Sequence, residues 1–224
     1  MESLKPQKTL VERTYDAILA AICDGSLAPG ERLTQTDLAE RLSVSRQPVI
    51  SALAVLRRQG FITDLPGRGV AVAAVDADRI KAIYQVRAGI EPLAVKLATR
   101  RLSPSLHKRG GTIVARGRKA VAGGNFNAAV HADIAFHLFL YEASGNPLIA
   151  EIMEPHMQHL QRAMAEILRR PDLIEEVWRE HAGILDAMAD GDAGRAADRA
   201  HDHIISAGPD FVGHIAHARE RAEP

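Results

Sequence analysis

The sequence has one cysteine, few aromatic residues and no long apolar run. Because Cys23 is the only cysteine in 224 residues, no intrachain disulfide can form, and a reducing cytoplasm is the expected compartment. No apolar run approaches the roughly 18 residues of a membrane-spanning helix, and the first residues lack the apolar core of a signal peptide. Aromatic residues make up only 4% of the chain, which favours packed helices over a β-sandwich. We therefore expect a mainly α-helical, cytoplasmic protein without membrane contact.

The chain also lacks a net charge, because 28 basic side chains balance 28 acidic ones. This average hides two basic runs. Residues 41–68 contain Asp64 and five arginines, which are Arg41, Arg46, Arg57, Arg58 and Arg68. Residues 100–119 contain eight basic groups, counting His107. Each run is either a solvated surface or an anion-binding surface, and charge alone does not separate the two.

Residues 8–75 combine helical periodicity with two short β segments. An amphipathic helix is predicted at 10–23, and Thr34 and Asp37 have the spacing of a variant capping box before a short second helix. Ser45 is a good N-cap for a third helix. The following FITDLPGRGVAVAAV predicts two strands around a Pro-Gly-Arg-Gly turn. This order of elements is typical of a winged helix-turn-helix domain.

In such a domain the start of the third helix reaches base edges in the major groove, and the hairpin approaches the phosphate backbone. Donors at a helix N-terminus and the helix dipole also favour contact with anions. Candidate DNA-binding residues therefore lie in the basic run, at the start of the third helix and at the hairpin tip. They are Arg41, Ser45, Arg46, Gln47, Arg57, Arg68 and Gly69.

The pattern from residue 78 to residue 218 is helical, without a convincing strand. The turn motifs LSPS, AGGN, SGNP, RRPD and DGDAG divide it into about six helices. We interpret 78–218 as an all-helical domain, and residues 76–78 as a short hinge that precedes it.

Three helices of this domain direct ligand-type side chains towards an apolar face. Asp133 and His137 lie one turn apart on one helix, and His181 and His203 lie on the apolar faces of two others. A buried carboxylate or imidazole is costly unless it is paired, hydrogen-bonded or bound to a metal, so each histidine alone can be an ordinary core residue. Together they suit a divalent ion such as Zn²⁺, Ni²⁺ or Mn²⁺, with positions left for water or a ligand.

Four motifs, in order and spacing, give the chain a resemblance to a known family. AICDGSLAPGERLTQTDLAERLSVSRQPVISAL, YQVRAGIEPLAVKLA, DIAFHLFLYEASGN and EHAGILDAMADGD resemble segments of GntR-type transcriptional regulators of the FadR subfamily, whose C-terminal helical domain is called FCD. The resemblance covers residues 8–218. It implies that Asp133, His137, His181 and His203 hold a metal beneath an effector pocket.

The resemblance further implies that the effector is a small carboxylate metabolite that ligates the metal. Arg87 matches a position that can face the effector pocket, although an ion pair with Glu91 is an equal alternative. Asn146 lies in the SGN corner of the family pattern, where capping of the next helix competes with a role in effector binding.

The third helix departs from the family pattern at one position. Family members commonly read SRTPVREAL where this chain reads SRQPVISAL, so Ile50 replaces an arginine. An aliphatic side chain cannot make the bidentate contact of an arginine, which is worth about 1–3 kcal/mol. We therefore expect an altered operator sequence, with Gln47 as a candidate reader of adenine.

Three functions agree with these patterns. The first is a regulator, most simply a repressor relieved by its effector, that binds a pseudo-palindromic operator as a homodimer. The second is a metal-dependent hydrolase or lyase, but Glu180 and Glu142 lie off the ligand faces and leave no evident general base, so we do not expect an enzyme. In the third, the helical domain only dimerises and its polar cluster holds no metal.

Overall fold

The structure is a computed structural model that describes residues 8–67, 69–167 and 171–220. It divides between Val75 and Asp76 into two compact units. Each unit encloses its own cluster of buried apolar side chains. Across the described residues, no helix is both long and apolar enough to cross a membrane.

The N-terminal unit contains helices and one small sheet. Its elements are α1 (Leu10–Cys23), β1 (Arg32–Leu33), α2 (Gln35–Leu42), α3 (Arg46–Gln59), β2 (Ile62–Asp64) and β3 (Val70–Val72). Strand β3 lies between β1 and β2 and is antiparallel to both. The three helices and the β2–β3 hairpin confirm the winged helix-turn-helix pattern. Strand β1 was not predicted, because two residues are too few to show a periodicity.

Local hydrogen bonds set the helix starts in this unit. At α1, Thr9 Oγ1 accepts from the Glu12 amide at 3.2 Å while Glu12 Oε2 accepts from the Thr9 amide at 2.6 Å, which is a complete capping box. At α2 the structure shows half of the expected box: Thr34 Oγ1 accepts from the Asp37 amide at 3.1 Å. Helix α3 ends at Gly60, whose φ of +82° is the left-handed conformation that favours glycine.

Helix α3 is held by one buried face. Val49, Ala52 and Leu56 are fully buried and belong to the same cluster as Ile18 and Ile22 of α1. Burying one leucine or isoleucine side chain contributes roughly 1.5–3 kcal/mol. This face therefore anchors α3 and leaves its opposite side to solvent.

The C-terminal unit is all-helical in its described residues, as the sequence predicts. Its helices are α4 (Ala77–Arg100), α5 (Pro104–Ala122), α6 (Phe126–Ser144), α7 (Pro147–Ile167), α8 (Pro171–Ala189) and α9 (Ala193–Glu220). Helix α6 packs against α4, α5 and α7, and α9 packs against α4 and α8. Asp76, which the sequence places in a hinge, caps α4 by accepting from the amides of Asp78 and Arg79.

Helices α5 and α8 approach each other closely at a glycine. A Cβ atom on Gly117 would lie 2.0 Å from Cζ2 of Trp178, so the indole occupies the space of the missing side chain. By contrast, a Cβ on Gly111 of the same helix would meet nothing within 4 Å. Trp178 also contacts His181, with ring centroids 4.9 Å apart. Gly117 therefore helps to position a side chain beside the histidine cluster.

We expect Gly117→Ala to lower the free energy of unfolding by about 1–3 kcal/mol, the usual cost of overpacking a core. Gly111→Ala, the matched control, should raise it by about 0.4–1 kcal/mol because alanine restricts the unfolded chain. Chemical denaturation of both variants measures the difference. Equal stability of the two variants would contradict the close packing of Trp178 on α5.

Candidate metal centre and nucleic-acid interface

Three imidazoles converge inside the C-terminal unit. His137 of α6, His181 of α8 and His203 of α9 are all buried, and one ring nitrogen of each lies within 4.8 Å of the others. The Nε2 atoms of His181 and His203 are 3.2 Å apart. Two nitrogens that each lie about 2.0–2.1 Å from one zinc ion are about 2.9–3.4 Å apart. The spacing of this pair therefore fits two ligands of a single ion.

Asp133 adds a carboxylate to the three imidazoles. Its Oδ1 lies 3.5 Å from Nε2 of His181, and its Oδ2 lies 3.9 Å from Nε2 of His137. Oδ2 of Asp133 and Nε2 of His137 are both buried, and neither has a hydrogen-bond partner among the described residues. Buried polar atoms are normally satisfied, so two unsatisfied atoms that face each other favour a cation site between them. The structure thus brings together all four residues that the sequence predicts as metal ligands.

Two glutamates orient two of the imidazoles from outside the cluster. Oε2 of Glu91 lies 2.9 Å from Nδ1 of His137, and Oε2 of Glu180 lies 2.6 Å from Nδ1 of His203. A carboxylate accepts a hydrogen bond, so each Nδ1 carries the proton and each Nε2 directs its lone pair to the centre of the cluster. The sequence pattern identifies neither role, because it considers Glu180 only as a general base and Glu91 only as a partner of Arg87. Glu180 lies off the ligand face, yet its side chain is long enough to reach His203.

Glu91 also balances a buried arginine. Its Oε1 accepts from Nε of Arg87 at 2.6 Å and from the hydroxyl of Tyr141 at 2.6 Å. Burial alone would raise the pKa of Glu91, but Arg87 and His137 outweigh it and hold that pKa well below its ordinary value. Glu91 therefore stays ionised and ties α4 to α6.

Arg87 pairs with Glu91, as one of its two interpretations predicts, and it also lines a cavity of about 60 Å³ beside the histidines. Its Nη2 is buried and has no hydrogen-bond partner among the described residues. The described residues around this cavity include Tyr84, Val130, Asp133, His137, Trp178 and His203. A cavity needs about 10–15 Å³ of volume measured in this way to hold one water, so this cavity has room for a few ligand atoms.

His137 and His181 are held in the form that binds metals. Burial lowers the pKa of His137, although the attraction of Glu91 opposes this effect. Burial lowers the pKa of His181 further below its ordinary value, and repulsion from His203 and His137 adds to it. Neutral imidazole is the species that coordinates a metal ion, so these environments favour coordination at neutral pH.

Asn146 does not join this site. It is absent from the described residues that line the cavity, and its Oδ1 accepts from the amide of Leu148 at 3.2 Å, at the start of α7. The geometry therefore favours the helix-capping alternative for Asn146 and does not support its expected role in effector binding.

In the N-terminal unit, the start of α3 presents its polar side chains to solvent. Ser45, Arg46 and Gln47 are exposed, and the Ser45 hydroxyl makes no capping hydrogen bond although Ser45 is the N-cap residue. Ile50, where the chain departs from the family pattern, is 40% exposed. Ile50 lies about 100° around α3 from the centre of its buried face, at the border of the exposed surface that Arg46 and Gln47 form.

Two further predicted arginines have acidic neighbours. Arg57 lies 3.2 Å from Asp64, and Arg41 lies 3.9 Å from Glu31. More than half of each arginine side chain is exposed. Exposed ion pairs of this kind contribute at most about 1 kcal/mol, so a phosphate can compete for either arginine.

One arginine beside the hairpin, Arg32, is not identified by the sequence pattern. Gly69 is exposed at a φ of +129°, and a Cβ there would lie 3.4 Å from Nε of Arg32. Strand β1 places Arg32 beside the hairpin by pairing with Ala71 of β3. Arg68, the predicted residue of the hairpin tip, lies outside the described residues.

Two families match the two units. Residues 10–72 match the family described as bacterial regulatory proteins, gntR family, and residues 82–206 match the FCD domain. An uncharacterized HTH-type transcriptional regulator in an unstable DNA locus of Streptomyces ambofaciens is 29% identical over 200 residues, which are 87% of this chain and 81% of that protein. The HTH-type transcriptional regulator LutR of Bacillus subtilis is 28% identical over 204 residues, covering 78% and 89% of the two chains.

Among solved structures, Escherichia coli McbR/YncC is similar with a TM-score of 0.80 and 21% identity, over 92% of this chain and 98% of that one. At this identity the similarity shows the fold alone. The relatives carry the names of transcriptional regulators rather than of enzymes, which agrees with the expectation drawn from the sequence.

We expect the free energy of unfolding of the metal-free protein to fall as the pH drops below about 6.5, the ordinary pKa of histidine in an unfolded chain. Burial keeps His137 and His181 unprotonated in the folded protein, so below this pH the unfolded chain binds more protons. His181→Gln should reduce the pH dependence, as measured by chemical denaturation between about pH 5.5 and pH 8. The same pH dependence in both proteins would contradict a buried, neutral His181.

We expect Glu180→Ala to weaken Zn²⁺ binding by about 10–100-fold, the usual cost of losing a carboxylate that orients a histidine ligand. Glu180→Gln should lose less, because its amide oxygen can still accept from Nδ1 of His203. Competition with a chromogenic chelator measures the affinity. Glu175→Ala on the same helix serves as the control, and an equal effect of the two alanine variants would refute the role of Glu180.

Proposed function

Because the chain belongs to the GntR family of bacterial regulatory proteins and carries the FCD ligand-binding domain, we propose that it is a repressor controlled by a small carboxylate held at a metal ion. Residues 8–75 bind the DNA operator, and residues 78–218 bind the effector and form a homodimer. Its place of action is the cytoplasm, where DNA and the metabolite are both present.

One observation carries the sensing part of the proposal. Three imidazoles from three helices lie within 4.8 Å of one another, with the Asp133 carboxylate 3.5 Å from one of them. Among the described residues, three buried atoms of these four side chains lack a hydrogen-bond partner. A purely structural polar cluster would normally pair those atoms. The donor set fits a divalent ion such as Zn²⁺, Ni²⁺ or Mn²⁺, since imidazole is a ligand that all three accept.

The residues of the site have separate tasks in this proposal. Asp133, His137, His181 and His203 hold the ion, which supplies a Lewis acid for a carboxylate oxygen of the effector. Glu91 and Glu180 keep two of the imidazoles in the coordinating tautomer. Arg87, whose Nη2 is buried and unpartnered beside the cavity, donates to the effector carboxylate.

The DNA-binding part rests on α3. Ser45, Arg46 and Gln47 at its exposed start read base edges, while Arg41, Arg57, Arg68 and Gly69 approach the phosphate backbone. Ile50 removes one bidentate contact and changes the preferred operator sequence. Two copies of α3 in a homodimer match the two halves of a pseudo-palindromic operator.

The effector relieves repression by differential affinity. It shifts the dimer away from the DNA-binding arrangement only to the extent that it binds the other arrangement more tightly. The alternative is a helical domain that only dimerises, with an internal polar cluster that serves packing. Metal content separates the two.

We expect the full-length protein, purified without chelator and supplied with Zn²⁺, Ni²⁺ or Mn²⁺, to hold about one equivalent of metal per chain. His181→Ala should lose it, because His181 is a ligand. His201→Ala, on the exposed side of α9, should retain it. Mass spectrometry measures the metal, and the fluorescence of Trp178, the only tryptophan, reports binding at the cavity that it lines.

Small carboxylates are then screened for their effect on DNA binding by the metal-loaded protein. A carboxylate that weakens DNA binding by the wild type should have no effect on His181→Ala. A wild-type protein that holds no metal under these conditions would contradict the metal centre and favour the dimerisation-only alternative. It would leave the family membership and DNA binding untouched.

A further inference from the structure

Charge is separated along this neutral chain. Residues 92–132 contain no aspartate or glutamate, although one residue in eight is acidic in the whole chain. The same stretch contains eight cationic side chains, which are Lys96, Arg100, Arg101, Lys108, Arg109, Arg116, Arg118 and Lys119. Since basic and acidic residues balance overall, the rest of the chain carries the matching acidic excess.

Helix α5 gathers four of these cations on its solvent-facing side. Its buried side consists of Gly110, Val114, Gly117 and Ala120. At about 100° per residue, Lys108 and Lys119 lie within about 20° of each other and opposite the buried side, with Arg116 and Arg118 flanking them. All four are exposed. We refer to Lys108, Arg116, Arg118 and Lys119 as the basic face of α5.

The neighbouring helices do not neutralise this face. Arg109, at its edge, pairs with Glu142 of α6, whereas the described residues show no ion pair for the four residues of the basic face. On the α8 side, Arg118 shares a shallow surface cavity of about 270 Å³ with Glu175. That carboxylate lies at one margin, so Lys108 and Lys119 remain uncompensated along the centre of the face.

We propose that the basic face of α5 is a second DNA-contacting surface, which binds the phosphate backbone without reading sequence. Duplex DNA is the polyanion that a DNA-binding regulator encounters. Clustered cations on the protein surface attract DNA over distances of about one Debye length. Lys108 and Lys119 are about 16 Å apart along the helix, a span of several phosphates. Exposed lysines act as point charges and suit backbone contacts, whereas base reading favours planar, bidentate groups.

The test is the salt dependence of binding to a long random-sequence duplex, which isolates backbone contacts. The variant carries Lys108→Gln and Lys119→Gln. The control carries Lys81→Gln and Lys96→Gln, two exposed lysines of α4, so that both full-length proteins lose the same charge. The slope of log K against log salt concentration should become shallower by about 0.9 for each phosphate that is no longer neutralised. The α5 variant loses two lysines, so its slope should become shallower by about 1.8 per chain.

The control protein should keep the wild-type slope. An unchanged slope in the α5 variant would overturn the proposal, and so would an equal change in both variants, because net charge alone would then explain it. Binding to polyglutamate is measured in parallel. If the α5 variant binds DNA normally but no longer binds polyglutamate, the basic face serves an acidic protein surface and the DNA assignment is wrong.

Discussion

The carboxylate of Glu91 is the group on which the interior of the C-terminal unit depends. It accepts from Arg87, from Tyr141 and from His137, and so joins α4 to α6 at the edge of the histidine cluster. Removing one partner of a buried ion pair commonly costs about 3–5 kcal/mol, because the other charge is left uncompensated. Without Glu91, Arg87 would become such a charge and His137 would lose the acceptor that fixes its tautomer. Glu91 therefore both stabilises the packing of α4 on α6 and fixes the orientation of the His137 ring.

The three imidazoles are positioned by different forces. His137 and His203 are oriented by carboxylates, whereas the buried Nδ1 of His181 has no hydrogen-bond partner in the part of the chain that the structure describes. His181 is instead enclosed by rings: it stacks on Phe136 with centroids 4.2 Å apart and meets Trp178 edge-on. Its orientation therefore depends on the shape of the aromatic packing, and through Trp178 on the small size of Gly117. Two of the imidazoles are therefore oriented by carboxylates, and the third is oriented by close packing.

Periodicity predicts most of this architecture because it records which side of a helix is buried. It identifies three helices and a hairpin in the first unit, six helices in the second, and the inward direction of Asp133, His137, His181 and His203. It does not record how far a long side chain extends. Glu180 lies off the ligand face and still reaches His203, and Glu91 looks like a simple helical partner of Arg87. Strand β1 is too short to show an alternating pattern. It places Arg32 beside the hairpin by pairing with β3, which is distant in the sequence.

In the proposed metal site, the pairing of Arg87 with Glu91 would also influence which ligand charge is accepted. Those two residues cancel each other, and a divalent ion, three neutral imidazoles and the carboxylates of Asp133 and Glu180 would also sum to zero. A monoanion would then bring one negative charge to a poorly solvated interior, next to the buried Nη2 of Arg87. A dianion would bring two negative charges, and an uncompensated ion is expensive there. The charge balance of the proposed site would therefore favour a monocarboxylate over a dicarboxylate.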